Sequence, residues 1–300
     1  MCIYAVYNSF GLDVVENSIE DIENILINES DMSTKRNSFL LLFNLDQERA
    51  LNYLKNLMQG EDPVSEIGDI FQLIILEMLR KVCKKDPSQK PSLMNAIFMM
   101  SASKSPSVLF ECANTITQLT TAPSAIKVAI QSYLNLLQEN NDNNVKVIVL
   151  EKILALRKNY VKVLEDYITD ILAIIKDDSV VSLEINQKVL DLVTYLVSQR
   201  NIKEVIQFLE REIIRAAKMD EHGSQGTVTN EYRYLLIKSI NQITQTFPQT
   251  IPMILNPLMK SFLKFEGKST FTSLETILFI REVIEVNPEH RGAIFGNICQ

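Results

Sequence analysis

Apolar residues recur along the chain at intervals of three and four, as in Val181, Ile185, Val189, Leu192 and Leu196, or Ile202, Val205, Ile206, Leu209 and Ile213. That period draws one apolar stripe along a helix, whereas a half-buried strand alternates at every second position. Capping residues punctuate the stripes. Asn17 is followed by Glu20 three residues on, while Asp86-Pro87, Ser105-Pro106 and Asn287-Pro288 each put a side-chain acceptor ahead of a first turn. Proline is suited to that turn because no backbone donor is missed there. The pattern predicts helices paired as 17–29 with 31–43, 46–59 with 65–85, 88–102 with 105–120, 122–138 with 142–158, 160–176 with 179–198, 201–218 with 228–246, and 248–264 with 270–286. A last helix opens at Asn287.

The starts themselves repeat. Ser105-Pro-Ser-Val108, Asp142-Asn-Asn-Val145 and Asp178-Ser-Val-Val181 each set a capping residue three before a valine, at intervals of 37 and 36 residues. Asp31-Met-Ser-Thr34 lies 74 residues ahead of the first. A period in the high thirties with a helix on either side of each start belongs to HEAT and armadillo units. One such pair cannot bury its own stripe, so pairs must stack, and the expected architecture is an all-α, α-α superhelix in which 1–300 form a single helical-repeat solenoid. Val145, Ile148, Val149 and Ile153 are expected between its layers. The one break is 219–226, Met-Asp-Glu-His-Gly-Ser-Gln-Gly, whose glycines and polar residues predict a flexible insertion.

Composition sharpens this picture. Hydrophobic residues make up 46% of 300, with Gly only 8, Pro 9 and Trp 0, a balance that suits long helices better than turn-rich sheets. A net charge of −7 argues against a protein built to hold a phosphate backbone, so no nucleic acid is expected as partner. Cys2, Cys83, Cys112 and Cys299 are scattered without a C-x-x-C pair, and His222 and His290 have no second ligand at metal spacing. Reduced cytoplasmic thiols and no metal follow from this. Phosphate-loop, dinucleotide and nucleophile-elbow motifs are missing, and Asp177-Asp178 reads as helix capping, so no catalytic or cofactor-binding residue is assigned. The apolar runs, such as Phe39–Phe43 or Ile70–Leu76, stop well short of the roughly 18 to 20 residues that cross a bilayer. Met1–Phe10 has the character of the remainder of an apolar helix rather than of a signal peptide, and the chain stops within a helical pattern at Cys299-Gln300, so a fragment of a longer trunk is expected.

Three stretches carry candidate surface chemistry. Seven acidic and no basic residues precede Lys35, which suits either a solvated exterior or a docking face for a basic partner. Arg80-Lys81 with Lys84-Lys85 closes a long helix, where cations complement exposed carbonyls and a headgroup contact is the alternative. Met94 and Phe98-Met-Met100 read as filler between stacked helices.

A more specific signal lies in Thr34-Lys-Arg-Asn-Ser-Phe-Leu-Leu-Leu-Phe-Asn-Leu-Asp-Gln-Glu-Arg-Ala-Leu-Asn-Tyr-Leu54 and in Asp69-Ile-Phe-Gln-Leu-Ile-Ile-Leu-Glu-Met-Leu-Arg-Lys-Val-Cys83. Thr121-Ala-Pro-Ser-Ala-Ile-Lys127, Asp142-Asn-Asn-Val-Lys-Val-Ile-Val-Leu150, Ser198-Gln-Arg-Asn-Ile-Lys-Glu-Val205 and Tyr232-Arg-Tyr-Leu-Leu236 extend it. These runs mix polar and apolar positions in order, and the chain resembles the adaptin-type trunk family, in its coatomer β branch. The resemblance implies a structural subunit of the COPI coat on Golgi membranes and vesicles, which binds proteins and turns over no substrate. It implies the coatomer δ subunit and other coat subunits as partners, with an Arf-type small GTPase bound weakly or not at all by this fragment. Membrane association is then peripheral and borrowed from lipidated partners. The competing reading is a nuclear-transport receptor or phosphatase scaffold built from the same repeat, since an acidic array suits basic peptides.

Overall fold

A computed structural model describes residues 18–60, 67–176, 182–221 and 226–251, together with Ser9 and a few positions between 253 and 292. Every regular element among these is helical. In chain order they are α1 (Ile19–Asn28), α2 (Met32–Leu45), α3 (Gln47–Leu57), α4 (Asp69–Lys85), α5 (Lys90–Met100), α6 (Pro106–Leu119), α7 (Pro123–Glu139), α8 (Asn143–Leu156), α9 (Val161–Glu165), α10 (Ile168–Lys176), α11 (Leu183–Leu196), α12 (Ile202–Glu221) and α13 (Gly226–Thr246). Short 3₁₀ turns at Pro87–Gln89 and Pro248–Thr250 complete the set.

Backbone contacts divide the chain into two compact units, Met1–Leu136 and Leu137–Gln300. In the first, α2, α4 and α6 pack side by side in one layer, while α1 lies on α2, α3 on α2, and α5 on both α4 and α6. In the second, α8, α11 and α13 form the row, α9 and α10 pack on α11, and α12 packs on α13. Each unit is thus two layers of helices in which neighbours along the chain alternate between layers, with α9 and α10 together taking one place, the construction of an α-solenoid. The sequence pairing predicts these elements through α13 except that it gives α9 and α10 as one helix, and the pair 248–264 with 270–286 lies largely outside the described residues.

Burial explains the stacking. Phe39 of α2 is fully buried and meets the edge of Phe71 of α4 with ring centroids 5.4 Å apart, and Tyr53 of α3 at 6.3 Å, so one aromatic cluster ties three helices together. Tyr133 of α7 meets Phe110 of α6 edge-on at 5.9 Å. Ion pairs join neighbours within a layer: Arg49 of α3 to Glu23 of α1 at 3.0 Å, Arg80 of α4 to Glu111 of α6 at 2.8 Å, and Lys188 of α11 to Glu151 of α8 at 3.1 Å.

The predicted caps divide into three cases. Asp31, Asp86 and Asp142 accept backbone N–H groups from Thr34, Ser88 and Asn144. Ser105 holds the capping position of α6, but its hydroxyl accepts nothing from the first turn. α11 is capped by Ser182, which accepts from Ile185, and helices opening at 106, 143 and 183 are spaced by 37 and 40 residues. Asn17 and Asp178 lie outside the described residues, as do Asn287 and His290.

Two further expectations change. Residues 160–176 are not one helix, because Tyr167 N–H donates to Leu164 O across a tight turn that separates α9 from α10. Ile148 is not buried. It is 49% exposed, and α8 buries Lys146, Val149, Leu150 and Ile153, with Val145 half-buried. Four successive apolar residues, Val147–Leu150, cover every side of the helix, so periodicity alone leaves its inward face undetermined.

Candidate interaction surfaces

Among the described residues no three His, Cys, Asp or Glu side chains are grouped to hold a metal ion. Cys83 of α4 and Cys112 of α6 are free and buried. Burial, reinforced by the charge of Glu111, pushes the Cys112 thiol up to about 12, and burial raises Cys83 as well, so neither is a ready nucleophile.

Half of the basic cluster is occupied by packing. Arg80 binds Glu111 across the layer, and Lys81 binds Glu77 one turn back at 2.9 Å. Lys84 and Lys85 are exposed and make no ion pair among the described residues. The acidic leading stretch is divided in the same way. Glu23 binds Arg49, Glu29 accepts from the N–H groups of Ser30 and Asp31, and Asp31 caps α2, which leaves Glu20 and Asp21 facing solvent on α1. Asp13 and Glu16 lie outside the described residues, as do residues 222–225 of the expected insertion. α12 continues to Glu221 and α13 begins at Gly226.

Two features were not anticipated from the sequence. One is a polar cluster inside the second unit. Glu212 of α12, 4% exposed, accepts from the Tyr232 hydroxyl of α13 at 2.9 Å and pairs with Arg215 at 3.0 Å. Buried Arg233 donates to Ala216 O at 2.6 Å, and Arg215 reaches Ile175 O of α10 at 3.5 Å. Burial, together with the charge of Glu212 and the hydrogen bond to it, raises the Tyr232 phenol above its ordinary range and keeps it a donor. The sequence signal was present only as the pair of charged residues Glu212 and Arg233 at positions that helical spacing assigns to the interior.

The other is a groove of about 320 Å³ in the first unit, where α3 and α5 flank α4. Leu54, Leu79, Leu93 and Ala96, all buried, make its floor. Met58 and Met99 form walls, and Lys55, Gln59, Ser92 and Asn95 complete the rim. The methionine run therefore divides between two roles: Met94 and Met100 are core, while Met99, 36% exposed, opens onto the groove.

Comparison with known proteins is concordant along the whole chain. The family described as Adaptin N terminal region matches residues 1–300. Coatomer subunit beta of Dictyostelium discoideum is 35% identical over 301 residues, which covers 100% of this chain and 31% of that protein. Coatomer subunit beta of Rattus norvegicus is 35% identical over 95% of this chain and 29% of its own length. Coatomer subunit beta-2 of Arabidopsis thaliana is 34% identical over 99% and 30%. The chain spans about a third of the length of these relatives.

Proposed function

Because this chain belongs to the adaptin N-terminal region family, we propose that it is a structural trunk segment of a coat subunit of coatomer β type, which binds proteins and carries no chemistry of its own. The observation that supports this most is identity of about 35%, sustained from end to end, to coatomer β subunits of an amoeba, a mammal and a plant. A shared solenoid alone would not hold mixed polar and apolar positions in register over 300 residues. The nuclear-transport or phosphatase scaffold is correspondingly disfavoured.

On this reading the chain works as one array of repeats and acts at Golgi membranes through its partners. No helix among the described residues is long and apolar enough to cross a membrane. The partner proposed first is a δ-type coat subunit, because permanent hetero-complex interfaces spread over many residues. An Arf-type GTPase in its GTP form is proposed as a weaker contact, shared in the intact subunit with parts of the protein beyond this third. Co-expression with the δ subunit of the same organism, followed by size exclusion, tests the assignment. Co-elution is expected, and a folded chain that elutes alone would defeat the δ pairing.

A further inference from the structure

Among the described residues, lysines outnumber carboxylates around the α3–α5 groove. α3 beyond Glu48 and the whole of α5 contain no carboxylate, and among the described residues Lys55 is the only charged one lining the groove. Lys84 and Lys85 lie five and six residues beyond Leu79 on α4, roughly 8 Å along its axis. Lys90 opens α5 two residues before Ser92. Lys55, Lys84, Lys85 and Lys90 make no ion pair among the described residues. Of the carboxylates on the same elements, Glu77 binds Lys81 and Asp86 accepts from Ser88 and Gln89, while Glu48 stands exposed six residues before Leu54 at the far end of α3. On a chain of net charge −7, the described residues thus gather four lysines near an apolar floor.

The rim is also unsatisfied in its neutral groups. The Ser92 hydroxyl donates to Gln89 O, but the amides of Gln59 and Asn95 have no side-chain partner among the described residues. Two carboxamides at an apolar slot supply the donors and acceptors that a peptide main chain needs. The volume lies at the small end of the roughly 300–1,000 Å³ typical of ligand pockets, which suits a pair of side chains rather than a folded domain. Met58 and Met99 give walls that adapt to aliphatic groups of differing shape.

We propose that this groove docks a short acidic peptide segment of a partner protein, with one or two large aliphatic side chains on the Leu54–Leu79–Leu93–Ala96 floor and a carboxylate on Lys55. The site is independent of the coat assignment, because its argument rests on the lining of one groove.

The test uses the whole chain and a fluorescein-labelled heptapeptide with leucine at its third and fifth positions and glutamate elsewhere, read by anisotropy. Alternation puts both leucines on one side of an extended peptide. Saturable binding that weakens with added salt is expected, with loss of about tenfold or more in affinity for Lys55→Glu. Met99→Ala should weaken it by a smaller factor, and circular dichroism would show both variants folded, since both positions are at the surface. A peptide with lysine in place of glutamate, or alanine in place of leucine, should fail to bind. The proposal is overturned if the glutamate peptide shows no saturation, if Lys55→Glu leaves its affinity unchanged, or if the lysine peptide binds equally well. It is also overturned if the chain ignores the peptide and instead binds vesicles of phosphatidylcholine and phosphatidylserine, which would make the lysines a headgroup contact.

Discussion

The contacts that hold Glu212 inside the second unit include the Tyr232 phenol and the Arg215 guanidinium, and in that buried setting each is worth more than a surface contact would be. Tyr232→Phe removes the donor and leaves the carboxylate in place, and a loss of about 1–3 kcal/mol in a denaturant titration is expected. At Asp31 the effect depends on pH. The Thr34 hydroxyl and then the Thr34 N–H, both at 2.7 Å, hold its carboxyl below the ordinary 3.8. A carboxylate with a depressed folded-state pKa stabilises above its unfolded value, and that contribution fades as pH falls through the folded one. Asp31→Ala should therefore lower Tm at neutral pH, with the gap to wild type closing progressively below about pH 3.9. A gap of constant size at every pH would show that the cap works without its charge. Ile148→Ala should cost about 1 kcal/mol or less, because the side chain already stands half in water, whereas Ile153→Ala should cost about 2–5 kcal/mol. This pair of residues also marks where the sequence runs out: both fit a helical period, and only the neighbouring helices decide which one faces inward.

At the scale of the element, helix positions were legible because each stripe is bounded by residues that cap or break. Asp31, Asp86 and Asp142 do both. The turn between α9 and α10 was not legible, since Leu164, Ile168, Ile171, Leu172 and Ile175 keep helical spacing across it. A tightened hydrogen bond changes the backbone without disturbing which side is apolar. The groove was hidden for a related reason. Its floor consists of ordinary buried residues of α3, α4 and α5, and the slot exists only because α3 and α5 stand apart over α4. Ion pairs between helices of a layer are exposed enough for solvent to screen them, Glu151 above all. A double-mutant cycle on Lys188 and Glu151 should give a coupling under about 1 kcal/mol, and a larger value would mean that the pair is shielded from water.

For the whole molecule, stability should come from apolar contacts between successive helices, with no contribution from bound ions or nucleotides. Melting followed by circular dichroism is expected to be unmoved by EDTA, zinc or ATP with magnesium, since a ligand of the native state would raise Tm by mass action. The two buried thiols turn the α4–α6 contact into a clock. Cys83 and Cys112 sit on the two helices whose packing joins successive repeats, and each is shut from solvent with its proton held on. An alkylating reagent can reach them only when the packing around α4 and α6 opens, so pulse labelling read by mass spectrometry times that local opening in the unmodified protein. A load or partner that pries one repeat from the next would be recorded as mass added at residues 83 and 112.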